Sequence, residues 1–152
     1  MITQREISQL AYRLRMNDKV IEKDYVITWL LLALADSELK DIIVFKGGTA
    51  LKKIYFPDYR YSEDLDFTVV KETNSETLID RLQKTLDKLA KEQAFQFAIP
   101  QERIEKRTDS LTVYVNFAGP LQARLQDQVR DLPHLEEVLR ELNRSLKNHL
   151  DL

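Results

Sequence analysis

Two short stretches decide how this chain of 152 residues folds: FKGGTAL at residues 45–51 and YSEDLDF at residues 61–67. The apolar, β-branched run at residues 42–45 predicts a short buried strand, which the glycine pair of the first stretch would end. Residues 49–56 have the composition of a short helix. The first stretch is therefore predicted to form a strand, a tight turn and a helix in close succession.

The glycine pair, Gly47 and Gly48, suits a turn that binds an anion. Glycine lets the backbone approach a ligand closely, and the start of a helix presents unpaired N–H groups with a partial positive charge. Thr49 adds a hydroxyl and Lys46 a cation, so these four residues are candidates for holding a phosphate group. Taken alone, the glycine pair is also explained by a tight turn that binds no ligand.

The second stretch places two carboxylates on one side of a predicted strand. Residues two apart in a strand face the same way, so Asp64 and Asp66 would project together while Leu65 and Phe67 are buried. Two adjacent carboxylates repel each other unless a cation lies between them, and Mg²⁺ and Mn²⁺ prefer such oxygen ligands. A solvated acidic start to the strand is the simpler alternative.

Together, the two stretches indicate more than either does alone. A turn that could hold phosphates lies one short helix before a strand that could hold metal ions. This is the arrangement needed for a nucleoside triphosphate, with its phosphates on the turn and metal ions bridging them to the carboxylates. The sequence therefore favours phosphoryl or nucleotidyl transfer.

Composition excludes several other classes of protein. Hydrophobic residues make up 43% and charged residues 32%, which is typical of a globular domain. The chain has no cysteine and two histidines, so a disulfide scaffold, a thiol nucleophile and a histidine-rich metal site are excluded. The net charge of −2 gives no general attraction to nucleic acid. The apolar run at residues 26–35 is shorter than the roughly 20 residues of a membrane span, so a cytoplasmic protein is predicted.

The order of predicted elements indicates a single α+β domain over residues 1–152, with a central mixed sheet flanked by helices. It divides into a helical pair (1–36), a sheet core (41–130) and a C-terminal amphipathic helix (133–152). The predicted helices span 4–16, 19–35, 49–56 and 73–93, and the predicted strands span 42–45, 65–70, 95–99, 104–106 and 111–117, with a weaker strand at 121–129.

Capping patterns support the predicted helix starts. Thr3 with Glu6, and Thr73 with Glu76, have the spacing of capping boxes. Asn17 is placed to cap the second helix, which is apolar on almost every side and is therefore expected to lie centrally.

The two stretches, together with IEKDY at residues 21–25, resemble the AbiEii/AbiGii toxin family of nucleotidyltransferases. The resemblance implies the nucleotidyltransferase fold shared with DNA polymerase β and a Mg²⁺- or Mn²⁺-dependent transfer of a nucleotide from a nucleoside triphosphate. It also implies a toxin that is paired with an antitoxin or acts in abortive infection, with an RNA such as tRNA, or a protein, as the acceptor. Related proteins continue into a further helical region, so this sequence resembles a short member.

Carried over by position, the resemblance implies roles for individual residues. Gly47, Gly48 and Thr49 would bind the triphosphate, with Lys46 and Ser62 beside them. Asp64 and Asp66 would be catalytic metal ligands. The third carboxylate of such sites would be Asp127, although Gln126 could occupy that position and Asp109 and Asp131 are weaker candidates.

Several alternatives stay open from the sequence. The fold could bind a nucleotide or a partner without turnover. The leucine-rich stripe of the C-terminal helix could bury itself against its own domain, or form a homodimer or partner interface. Residues 22–24 could pair with the acidic loop or with Lys52 and Lys53, or could simply be solvated. The tyrosines of residues 55–61 could stack on a nucleobase or pack the loop.

Overall fold

The computed structural model describes residues 2–93 and 95–119. Its helices are α1 (Gln4–Leu14), α2 (Asp18–Ala35), α3 (Gly47–Ala50), which continues as a π-helical turn (Leu51–Tyr55), and α4 (Ser75–Gln93), with short 3₁₀ turns at Glu38–Asp41 and Gln101–Arg103. Its strands are β1 (Ile43–Lys46), β2 (Asp66–Val69), β3 (Gln96–Ala98), β4 (Ile104–Lys106), β5 (Leu111–Val113) and β6 (Asn116–Ala118). The predicted α+β class is confirmed.

The predicted caps are confirmed for the first two helices and shifted by one residue for α4. Thr3 and Glu6 form a reciprocal capping box at α1, and the Asn17 side chain accepts a hydrogen bond from the Lys19 N–H at α2. At α4 the cap is Asn74, whose side chain accepts from the Thr77 N–H at 2.8 Å. An asparagine caps a helix as well as a threonine does, so the capping box predicted from Thr73 was placed one residue early.

Strands β1 and β2 form an antiparallel ladder whose two faces differ in character. Phe45 lies opposite Phe67 on the face that packs against α2, with ring centroids 5.3 Å apart. Lys46 lies opposite Asp66 on the other, exposed face. The ladder thus buries its aromatic side and leaves its polar side accessible.

The predicted strand at residues 111–117 is divided in two. β5 pairs with β4, whereas β6 pairs with β3, and the chain changes partner at Tyr114 and Val115. Both pairings are antiparallel and each strand is three residues long. The described residues therefore form three separate two-stranded ladders, not the central mixed sheet that was predicted. Strands this short pair with one neighbour each, and the 3₁₀ turn at Gln101–Arg103 separates β3 from β4.

Helix α2 lies at the centre of the described structure, as its uniform apolar composition predicts. One side packs on α1 through Ile21, and a second packs under the β1–β2 ladder through Ile27 and Leu31. The remaining side joins the largest cluster of the core, whose buried members are Tyr25, Val26, Leu30, Leu34, Leu39, Leu86, Leu89 and Phe95. Within residues 2–93 and 95–119, no helix combines the length and the apolar character needed to cross a membrane.

The C-terminal predictions lie outside the described residues. These are the strand at 121–129, the candidate metal ligands Gln126, Asp127 and Asp131, and the helix at 133–152.

The packing of α4 against α2 predicts a large cost for truncating Leu86. This side chain is completely buried in the main cluster, so Leu86→Ala should lower the free energy of unfolding by about 2–5 kcal/mol. Val70→Ala, at a position 56% exposed, is the control and should change it by less than about 0.5 kcal/mol. Urea denaturation of the two variants measures the difference. Equal effects would contradict the assignment of Leu86 to the core.

Candidate functional site

The turn between β1 and α3 requires glycine at its first position. Gly47 has a φ of +81°, a left-handed conformation that side chains other than glycine rarely adopt. A Cβ atom at this position would also overlap the carboxylate of Asp66. The predicted reason for the glycine was the approach of a ligand; in the structure, the protein's own Asp66 makes that close approach.

The second glycine of the turn lies beneath two polar side chains. A Cβ atom on Gly48 would lie 3.3 Å from the Ser62 Oγ and 3.8 Å from Nη2 of Arg60. Ser62 was predicted as a nucleotide-binding residue and does border the turn. Arg60 was not predicted, because a single arginine in a polar loop carries no pattern that would place it there.

Thr49 connects the turn to the acidic stretch. Its side chain is almost completely buried, and its hydroxyl donates a hydrogen bond of 2.5 Å to the backbone carbonyl of Asp64. The sequence predicted this hydroxyl as a phosphate ligand. Because its proton is directed to Asp64, a phosphate contact from Thr49 would fall to its backbone N–H.

The acidic stretch alternates as the sequence predicts. Leu65 and Phe67 are half-buried against the core, whereas Asp64 and Asp66 are exposed. Both carboxylates line one open cleft of about 980 Å³, and Lys46 lines it too. The cleft therefore brings these two acidic groups and this lysine into one space, together with Lys23, Glu63 and Asp109.

The carboxylates of this site offer oxygen donors of the kind that bind a metal ion. Asp64 and Asp66 supply the hard oxygen donors that Mg²⁺ and Mn²⁺ prefer, and such ions in nucleotide sites commonly take one or two carboxylates together with phosphate oxygens. Asp109 lines the same cleft. Across the described ranges, however, no group of three or more acidic or histidine side chains could hold a metal ion. Two carboxylates would leave most of the coordination positions of such an ion to other oxygen donors, such as phosphate groups.

A buried ion pair anchors the segment that follows the turn. Nζ of Lys53 donates to Oδ2 of Asp24 at 2.7 Å and to Oγ1 of Thr28 at 2.8 Å. The Thr28 hydroxyl donates in turn to the Asp24 carbonyl at 2.7 Å. Burial lowers the pKa of Lys53, and the charge of Asp24 opposes that shift. The sequence left the choice between ion pairing and solvation open for residues 22–24, and the structure shows ion pairs for Lys23 and Asp24.

A second ion pair reaches the acidic stretch itself. Nζ of Lys23 lies 2.7 Å from Oε2 of Glu63, and both side chains are partly exposed. Lys23 and Asp24 are consecutive in α2, so one turn of this helix contacts both halves of the site.

The tyrosines of the intervening loop divide into packed and exposed groups. Tyr61 is half-buried with the Lys52 ammonium 4.6 Å from its ring centroid, and burial raises its pKa. Tyr55 is 50% exposed, and Tyr59 remains exposed with the Arg60 guanidinium 6.0 Å from its ring centroid. Tyr61 therefore packs the loop. Tyr55 and Tyr59 are accessible, and stacking on a nucleobase stays a prediction for these two.

Comparison with known families gives one match. The model of a family described as the nucleotidyl transferase AbiEii toxin of type IV toxin–antitoxin systems matches residues 29–144. Neither curated proteins nor solved structures give a match to the chain.

The two glycines of the turn should respond differently to substitution. Gly47→Ala adds a side chain at a positive φ and against Asp66, so it should lower the free energy of unfolding by about 1–2 kcal/mol or more. Gly48→Ala is the matched control, since the atom nearest to its new Cβ is the movable hydroxyl oxygen of Ser62 at 3.3 Å, and alanine is the better helix former. Chemical denaturation compares the two. A larger loss for Gly48→Ala would contradict the described turn.

The buried ion pair predicts a second contrast, between two lysines. The Lys53 side chain is 4% exposed and that of Asp24 13%, so Lys53→Ala leaves a largely buried carboxylate unpaired and should cost about 3–5 kcal/mol. Lys84→Ala removes a pair with Asp80 in which the side chains are 74% and 61% exposed, and should have little effect. Denaturant midpoints of both variants test this. A midpoint for Lys53→Ala equal to that of the control would show that the pair is not buried.

Proposed function

The chain belongs to the AbiEii family of nucleotidyl transferase toxins, and on that premise we propose that it transfers a nucleoside monophosphate from a nucleoside triphosphate to an RNA, such as tRNA, or a protein. One observation carries the proposal: the Asp66 carboxylate packs against Gly47, which brings the acidic strand onto the glycine turn. The side chains of Asp64, Asp66 and Lys46 then line one accessible cleft.

The glycine turn is proposed to hold the triphosphate. The backbone N–H groups of Gly47, Gly48 and Thr49 lie where β1 passes into α3, and the Asp66 carboxylate lies against the first of these residues, Gly47. Lys46 would contribute a positive charge from the exposed face of the ladder. Ser62 would contribute a hydroxyl from above Gly48.

Mg²⁺ or Mn²⁺ is the proposed cofactor, and Asp64 and Asp66 are the residues that would hold it. Such an ion, when bound, neutralises charge on the phosphates and on the departing oxygen. Asp127, which lies outside the described residues, is proposed as the third carboxylate by the family resemblance. With two carboxylates already facing the cleft, one further acid would complete the set.

The proposed reaction is an in-line displacement at the α-phosphorus. A hydroxyl oxygen of the acceptor forms a bond to that phosphorus, and the bond to the oxygen that bridges the α- and β-phosphates breaks. Pyrophosphate leaves with the electron pair of that bond, and the hydroxyl proton passes to a carboxylate base, for which Asp127 is the candidate.

Membership in a toxin–antitoxin family implies an antitoxin as partner. We further propose action in the cytoplasm, where nucleoside triphosphates and acceptor RNA are available. A homodimer through the leucine-rich stripe of residues 133–152 remains a proposal, because that helix lies outside the described residues.

Ligand binding provides the direct test. Mg²⁺ with a nucleoside triphosphate should raise the melting temperature, because a ligand at 100 times its Kd stabilises the folded state by about 2.7 kcal/mol. Asp64→Asn combined with Asp66→Asn should lose most of this shift and still fold, because both side chains are exposed. Differential scanning fluorimetry with each of the four ribonucleoside triphosphates measures it.

The matched control is Asp80→Asn combined with Asp87→Asn on the exposed surface of α4, which should keep the full shift. An Asp64/Asp66 double variant that keeps the full shift would show that these carboxylates do not hold the metal. A separate measurement distinguishes nucleotide transfer from nucleotide binding without turnover: on addition of bacterial RNA, the wild-type protein should release pyrophosphate only if it transfers the nucleotide.

A further inference from the structure

The loop that carries the acidic stretch has little support from its own backbone. In the described part of the chain, residues 56–65 form neither helix nor strand, and the β1–β2 ladder begins only where Lys46 meets Asp66. Asp64 lies just before that point. Its position therefore depends on contacts from outside the ladder.

The structure shows two such contacts next to Asp64. The Thr49 hydroxyl holds the Asp64 carbonyl from the glycine turn, and the Lys23 ammonium holds the carboxylate of Glu63 from the second turn of α2. These two groups approach consecutive residues from different elements. Together they fix the direction in which the chain enters β2.

Lys23 is itself held in place by its neighbour. Asp24 forms the buried pair with Lys53, in the π-helical turn that continues the glycine turn. A helix turn anchored in this way cannot shift without disturbing that pair. The backbone of α2 at Lys23 is therefore held in place where its side chain contacts Glu63.

We infer that Lys23 is a positioning residue for the acidic strand: by holding Glu63 from α2, it fixes Asp64 and Asp66 relative to the glycine turn. This inference rests on the proposed function, because it concerns how the same nucleotide site is held. Lys23 and Glu63 both line the cleft that contains the two aspartates. Glu63 acts as the point of attachment and not as a ligand.

Charge alone predicts a different outcome for Glu63, which makes the inference testable. Removing a carboxylate near a triphosphate should tighten binding if only long-range repulsion matters. Removing the point of attachment should weaken it. If Glu63 instead contacted the metal or the nucleotide, binding would weaken, but a lysine at that position could not restore it.

The experiment is calorimetric titration of the full chain with Mg²⁺ and each of the four ribonucleoside triphosphates in turn. Lys23→Ala and Glu63→Ala should each weaken binding roughly two- to fivefold, the range that an exposed ion pair supports. The charge exchange, Lys23→Glu with Glu63→Lys, should restore most of the affinity. Lys88→Ala is the control, since it removes a pair of 2.8 Å between α4 and Asp36 whose side chains are also exposed, and should leave binding unchanged.

Denaturant midpoints of all variants should match that of the wild type, because exposed pairs contribute little to stability. Unchanged or tighter binding by Glu63→Ala, or an exchanged pair as weak as the single variants, would overturn the inference and leave the proposed function intact. A loss of affinity matched by a loss of stability would overturn it as well. If the wild type binds none of the four nucleotides, the proposed function fails and the inference fails with it.

Discussion

The approach of the Asp66 carboxylate to the backbone of Gly47 is the constraint on which the site depends. A side chain at residue 47 would occupy the space that the carboxylate fills, and the backbone there has a left-handed φ. The register of the β1–β2 ladder also places Asp66 beside the turn, because it pairs Asp66 with Lys46, the residue directly before Gly47. The glycine turn and the acidic strand are therefore two parts of one packed unit, and neither can be moved without the other.

That unit packs against α2. Because this helix is largely buried, two of its few charged residues are placed to form ion pairs with the unit. Ile27 and Leu31 pack against the ladder with apolar side chains. Near the start of the helix, Lys23 forms an ion pair with the acidic stretch and Asp24 forms one with the π-helical turn. A charge on an otherwise apolar helix is costly to bury unless it is paired. The polar side chains of α2, Lys23, Asp24 and Thr28, thus make specific contacts, whereas its apolar side chains contribute packing.

Much of this arrangement could be predicted from the sequence, because it follows from local patterns. The alternation from Leu65 to Phe67, the capping box at Thr3 and the turn at the glycine pair are fixed by neighbours along the chain. The sequence named Lys52 and Lys53 as possible partners of residues 22–24 but could not show which lysine is buried, since Asp24 lies 29 residues from Lys53 and adjacent Lys52 has the same side chain. The division of the strand at Tyr114 was missed for a similar reason, because it depends on two different pairing partners.

The charges that line the cleft also bear on which ligand it suits. Glu63, Asp64, Asp66 and Asp109 supply four negative charges, and Lys23 and Lys46 supply two positive ones, so these six side chains carry a net charge of −2. Lys23 is already engaged with Glu63, which leaves Lys46 to balance Asp64, Asp66 and Asp109. A triphosphate entering this cleft would add further negative charge beside them. A divalent cation between the aspartates and the phosphates would remove that repulsion, which is the physical reason for expecting nucleotide and metal to bind together rather than separately.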